Sequence, residues 1–144
     1  EYADVFFING RPLPEAVDVI EDLRARPRAG AALRFGLSAF VIARETEAEA
    51  LAELDYLHSL DDADTRPEIS GGTDPKTQMY KVLSGTKRIG SNGGTLAGLV
   101  GSYGQVIDRF HAFHDAGVEL FMLQFQPIES ELDRFADKII PHFR

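Results

Sequence analysis

Hydrophobic positions fall in two rhythms along this chain. Short unbroken apolar runs at Val5–Ile8, 33–42 and 120–125, rich in Phe, Val, Ile and Leu, predict buried β-strands. Between and after them the apolar residues recur at helical spacing. The first such stretch places Ala16, Val19, Ile20 and Leu23 at i, i+3, i+4 and i+7, after Pro12 and Pro14 break the chain. A second opens on Thr46 and Glu49, the spacing of a capping box, and turns Ala50, Leu51, Leu54 and Leu57 inward. A third opens on Ser102 and Gln105 at the same spacing, presents Val106, Phe110 and Phe113, and stops at Gly117. The last presents Leu132, Phe135, Ala136 and Ile139 before Pro141. The stretch 61–98 breaks both rhythms. Polar and Gly-rich, with "DDAD" and "SGGTDPKT", it predicts a long inserted loop with one helical turn near 79–83.

Strands alternating with helices are the grammar of parallel α/β architecture. Three strands leave both sheet edges open, whereas a closed (β/α)8 barrel takes about 250 residues. The chain therefore reads as the C-terminal part of a TIM barrel, about strands six to eight with their helices. Residues 1–144 would be that half-barrel, with 61–98 as an insertion or lid before the penultimate helix.

Bulk composition narrows the partners. The 144 residues are 44% hydrophobic and 26% charged, with 15 basic against 23 acidic residues and a net charge of -8. That balance argues against a nucleic-acid surface, and no apolar run is long enough to span a membrane. With no cysteine there is no disulfide, thiolate metal site or cysteine nucleophile, which fits a reducing cytoplasm. The chain starts "EYADVFF", without Met and almost at once in a strand, so either its start was removed or it is a piece of something longer.

Chemistry in such a barrel sits at the C-terminal ends of the strands, and alternate side chains face opposite sides. Ser38 and Phe40 share one face of the second strand, as site residues or as barrel filling. Gln124 and Gln126 share a face of the last strand with Met122; paired amides there bind a ligand or satisfy loop backbone. Asn9 ends the first strand, facing the site or forming the turn. His111 and His114 stand at metal-like i, i+3 spacing beside Asp115, but three or four converging ligands are needed, so no metal site is assigned. His58 and His142 are expected to face solvent. The stretch "GTKRIGSNGGTLAGLVG", 85–101, fits neither a P-loop nor GxGxxG, because its basic pair precedes the glycines. It reads as the end of a mobile insertion or as an exposed connection, its glycines a sign of motion.

Several blocks in order, "ADVFFING", "LRFGLSAFVIARETEAEA", "GGTLAGLVGSYGQVIDRFHAFHDAGVELFMLQFQP" and "ELDRFADKIIPHFR", resemble the C-terminal half of the bacterial-luciferase-like flavin monooxygenases. The likeness is nearest the dimethylsulfone and alkanesulfonate monooxygenases and weakest over 61–87. It implies a TIM-barrel enzyme that takes reduced FMN from a separate flavin reductase, activates O2 as co-substrate and oxygenates a small organosulfur compound. The family's Gly-Gly-Ser-Ser phosphate loop after strand five is absent, so this stretch alone is expected to be inactive. The alkanesulfonate enzymes carry an arginine and a histidine where this chain has Ser38 and Phe40, and a tyrosine and a histidine at Gln126 and Ile128. Loss of those groups implies an uncharged, sulfone-like substrate. The resemblance makes Ser38, Phe40, Gln124 and Gln126 the substrate-binding candidates. Asn9 and the insertion's Arg88 or Asn92 are the cofactor-binding ones. It also implies a missing N-terminal half-barrel or a second copy, and a homo-oligomer. Another flavin or deazaflavin oxidoreductase, or a non-catalytic half-barrel assembling with a partner chain, are the alternatives.

Overall fold

The computed structural model describes residues 3–63 and 88–143. The helical turn expected near 79–83 lies, with all of 64–87, outside the described residues. In chain order the elements are β1 (Val5–Ile8), α1 (Leu13–Ala25), β2 (Arg34–Phe40), β3 (Ile42–Arg44) and α2 (Glu47–Ala63). A 3-10 turn (Gly94–Ala97), β4 (Val100–Ser102), α3 (Tyr103–Asp115), β5 (Val118–Gln124), α4 (Ile128–Lys138) and a closing 3-10 turn (Ile140–Phe143) follow.

The three apolar runs do pair, as a parallel sheet in the order β1-β2-β5. Val5 stands opposite Arg34 and Ile8 opposite Leu37, while Ser38 and Phe40 face Met122 and Gln124. Parallel neighbours need helical crossovers, and those crossovers supply the core. Phe35, Leu37, Ala39 and Val41 are buried against Ala16 and Ile20 of α1 and Val106, Phe110 and Phe113 of α3. Fully buried phenylalanines such as Phe35 and Phe113 each contribute about 2–3 kcal/mol by removal from water. Phe110 also meets Phe121 edge-on at 4.9 Å between ring centroids, which fastens α3 to β5. Both anticipated capping boxes form. Glu49 N–H donates to Thr46 Oγ1 at 3.2 Å, and Gln105 N–H to Ser102 Oγ at 3.3 Å.

The structure departs from the sequence pattern at several points. The run 33–42 is not one strand. Val41 N–H donates to Gln124 O, and Ile42 N–H to Leu99 O, so within one residue the chain leaves β5 for the segment leading into β4. β3 and β4 then form a second parallel sheet that the periodicity does not announce, because three residues are too few to show a period. α2 runs on to Ala63, past the start assigned to the insertion. The last strand begins at Val118 and ends at Gln124. Leu51, Leu132 and Ala136, expected inward, are exposed; α4 is held chiefly through Ile139 and Phe135, having a neighbouring strand on one side only. His58 is half-buried, not solvent-facing, whereas His142 is exposed.

A backbone seam fixes residues 89–97. Gly10 N–H donates to Asn92 O at 2.7 Å. A Cβ on Gly10 would lie 2.7 Å from the Ser38 carbonyl oxygen, and one on Gly93, whose φ is +88°, would collide with the Gly10 carbonyl. Two glycines are needed for main chain to lie on main chain. Gly93→Ala is expected to destabilise by about 2–3 kcal/mol through overpacking and left-handed strain. Gly104→Ala, in an open helical position, is expected to be neutral or to stabilise by up to about 1 kcal/mol. Urea denaturation of the two variants checks the contrast.

Candidate functional site

The C-terminal ends of β1, β2 and β5 converge beneath residues 89–97, and most of the candidate residues meet there. Ser38 is 2% exposed and accepts a hydrogen bond from Gln124 Nε2 at 3.4 Å. Gln124 Oε1 accepts from Ser91 N–H at 2.9 Å and from Ser91 Oγ at 3.2 Å, and Nε2 also donates to Ser91 O at 3.1 Å. The amide of Gln124 thus makes the loop-backbone contact that was one of its two readings. Phe40 is buried in a small cluster with Ile42, Ala50 and Leu57, and its ring lies close under Gly90. Asn92, exposed and at φ 51°, and half-buried Asn9 flank the glycine seam from its two sides. The Asn9 carbonyl accepts from Arg11 Nε at 3.1 Å. Arg88 is half-buried at the start of the segment. Gln126 stands apart: the strand has ended at Gln124, and Gln126 is exposed beside a cis bond to Pro127.

Along the same face the strands present Phe7, which lies over Gly36, with Leu120 and Met122. Phe7 and Met122 are 47% and 46% exposed, so this surface is apolar and open. At its far end Arg34 is neutralised by Glu119 at 2.8 Å. Two clefts, of about 390 and 430 Å3, lie elsewhere, one beside Arg26 and Arg28 and one between α1, α2 and α3. Neither touches Ser38 or Gln124, and the chemistry argues for the strand ends as the site.

Residues 1–120 match the sequence profile of the luciferase-like monooxygenases. The chain belongs to that family. It is 32% identical over 162 residues to a sulfoquinovose monooxygenase of Novosphingobium aromaticivorans, covering 99% of this chain and 44% of that protein. An FMNH2-dependent dimethylsulfone monooxygenase of Pseudomonas putida is 28% identical over 150 residues, with 99% and 41% covered. Among solved structures a long-chain alkane monooxygenase superposes with a TM-score of 0.62 at 16% identity, over 98% of this chain and 36% of that one. A riboflavin lyase, solved with modified FMN and riboflavin, gives 0.59 at 16% identity, over 96% and 38%. These likenesses support the α/β fold. The chain spans 41–44% of the length of the curated relatives it matches.

In this luciferase-like chain the sequence reading missed the ionic joint behind the strand ends. Arg44, the last residue of β3, bonds Glu131 of α4 at 2.6 Å and Glu53 of α2 at 3.2 Å. Glu131 is 6% exposed, and its other oxygen lies 3.5 Å from Arg134 Nε. Hydrogen bonding to Tyr103 raises the Arg134 pKa above its ordinary value; burial opposes the rise and Glu131 adds to it. Three elements, β3, α2 and α4, are joined by charge, and the Tyr103 hydroxyl ties in α3. No spacing in the sequence announces it, since Arg44 and Glu131 are far apart in the chain. Of the histidines, His111 stacks on Phe143 with centroids 4.7 Å apart, and exposed His114 lies 3.7 Å from Asp115. Among the described residues no three His, Asp or Glu side chains are grouped to hold a metal, and no helix is long and apolar enough to cross a membrane.

Breaking a buried pair strands one charge, so Glu131→Ala is expected to cost about 3 kcal/mol of stability. The double change Arg44→Met with Glu131→Leu, which removes both charges, is expected to recover most of that loss. Thermal and urea unfolding of single and double variants measure it.

Proposed function

We propose that these residues are the C-terminal part, about strands six to eight, of a TIM-barrel monooxygenase that uses reduced FMN and O2 to oxygenate a small uncharged organosulfur compound such as a sulfone. One observation carries the reading. In a chain of this family the face toward the strand ends, formed by Phe7, Ser38, Phe40, Leu120, Met122 and Gln124, carries no charge. An anion placed there would lose water without gaining a counter-charge, whereas a neutral sulfone needs only apolar walls and a few donors. The dimethylsulfone monooxygenase relative supports the cofactor and a neutral sulfone, while the sulfoquinovose monooxygenase relative supports organosulfur compounds only more broadly.

The residues fit a flavin. An exposed aromatic ring and thioether on an open face suit a planar ring system, and amides at its rim suit that ring's polar edge. On this reading Asn9 and Asn92 hold the cofactor, with Arg88 offering positive charge to its phosphate. Ser38, Phe40 and Gln124 line the substrate side. Bound reduced FMN supplies the electrons with which O2 delivers one oxygen atom to the substrate, the other leaving as water. The protein's share is orientation and exclusion of water. A flavin reductase is the partner that regenerates the cofactor. In the described sheet β1 and β5 each pair on one side only, so an N-terminal half-barrel or a second copy completes the fold. The same open edges favour the second reading, a non-catalytic half-barrel assembled with a partner chain.

Absorbance titration of the full-length protein with FMN, then oxygen uptake with a flavin reductase, separates these. The monooxygenase reading expects flavin binding and product from dimethylsulfone roughly tenfold or more above that from methanesulfonate. Absence of flavin binding leaves the non-catalytic reading, and a preference for the sulfonate refutes the uncharged substrate.

A further inference from the structure

We infer that Gln124 is a positioning residue, a latch that fixes residues 89–97 as a roof over the strand ends; its bearing on catalysis rests on the flavin-monooxygenase reading above. The four strong hydrogen-bonding positions of a glutamine amide are two acceptor sites and two N–H donors. Here all four are engaged: Oε1 takes the Ser91 N–H and Oγ–H, and Nε2 gives to Ser91 O and Ser38 Oγ. Ser91 N–H can only donate and its carbonyl only accept, so the amide has one workable orientation. In effect the side chain adds one more peptide group to the end of β5. The main chain of Gln124 has just made the last link to β2, through Val41 N–H at 3.1 Å.

The roof is braced within itself. Thr95 N–H donates to Ile89 O at 3.0 Å, Ile89 N–H to Thr95 Oγ1 at 3.1 Å, and Gly94 N–H to Ser91 O at 2.9 Å. These bonds tie it into one unit, and two hydrogen-bonded attachments join it to the sheet: Asn92 O to Gly10 beside β1, and Ser91 to Gln124 beside β5. The first is backbone to backbone and insensitive to side-chain chemistry. The second hangs on a single side chain. Between the two, the roof crosses the end of β2, where Gly94 O lies 3.1 Å from a Cβ built on Gly10 and Gly90 covers the Phe40 ring. Any ligand that hydrogen-bonds Gln124 must take the place of Ser91 or Ser38. Gln124 therefore acts through the roof.

Hydrogen exchange on the full-length protein tests the latch without any flavin. Gln124→Leu removes every bond to Ser91, and Gln124→Glu sets a carboxylate against the Ser91 carbonyl. Both are expected to speed exchange at Ser91, Gly94 and Thr95 by roughly tenfold or more, with α1 and α3 unchanged. Ser91→Ala keeps both backbone bonds and is expected to change it little. Unchanged exchange at 91–95 in whichever Gln124 variant folds overturns the latch. With reductase and O2, the Gln124 variants are expected to release more hydrogen peroxide per reduced flavin oxidised, and to raise the KM for sulfone more than they lower kcat. Loosened exchange with unchanged peroxide release would overturn the roof's part in the reaction. A wild-type protein that binds no flavin would sink the monooxygenase reading, while exchange still decides the latch.

Discussion

Main chain lies directly on main chain where Gly10 meets Gly93, and the upper part of the molecule depends on that contact. A side chain at either position would occupy the space of a neighbouring carbonyl. With both absent, the segment 89–97 lies on the end of β1 and its carbonyl at Asn92 closes the bond to Gly10. Everything downstream follows in order. Ser91 comes within reach of Gln124, Leu99 within reach of Ile42, and β4 aligns with β3. α3 then starts from Ser102, already capped, and delivers Val106, Phe110 and Phe113 to the core.

The ionic joint at Arg44 is the second tie, and it works by different physics. Backbone contact is short-ranged and geometric; a buried carboxylate between two guanidinium groups is held by charge and is costly to leave unpaired. Arg44 ends β3, Glu131 lies in the first turn of α4, and Glu53 sits in α2, so the exits of two strand segments and one flanking helix are held together. The glycine seam sets the distance of the roof from the sheet. The joint sets the directions in which the chain leaves it.

Legibility from sequence divides along range of interaction. Val5–Ile8 and the core of β2 were readable because buried parallel strands are continuous apolar runs, and both capping boxes because their partners lie three residues apart. The gathering of Ser38, Phe40 and Gln124 at one end followed from strand parity alone. Parity then failed at Gln126, because alternation holds only while the strand lasts and β5 stops two residues earlier. β4, the Arg44 joint and the Gly10–Gly93 seam were not readable, since each joins segments brought together only by the fold. The exposed apolar positions of α4 have the same origin. Leu132 and Ala136 carry the helical period of a buried stripe, yet the described sheet ends at β5 and offers them nothing to pack on.

The glycines show how one composition serves opposite ends. A run of φ-permissive residues lowers the barrier to motion when nothing holds it, and the sequence around Asn92 invites that interpretation. The same residues also allow the closest approach two backbones can make. Which property governs depends on whether partners exist. Here they do: Asn92 O has Gly10, Ser91 has Gln124, and Ile89 has Thr95. The segment is glycine-rich and anchored. A wall built this way is thin, because it has few side chains to project into the space it bounds.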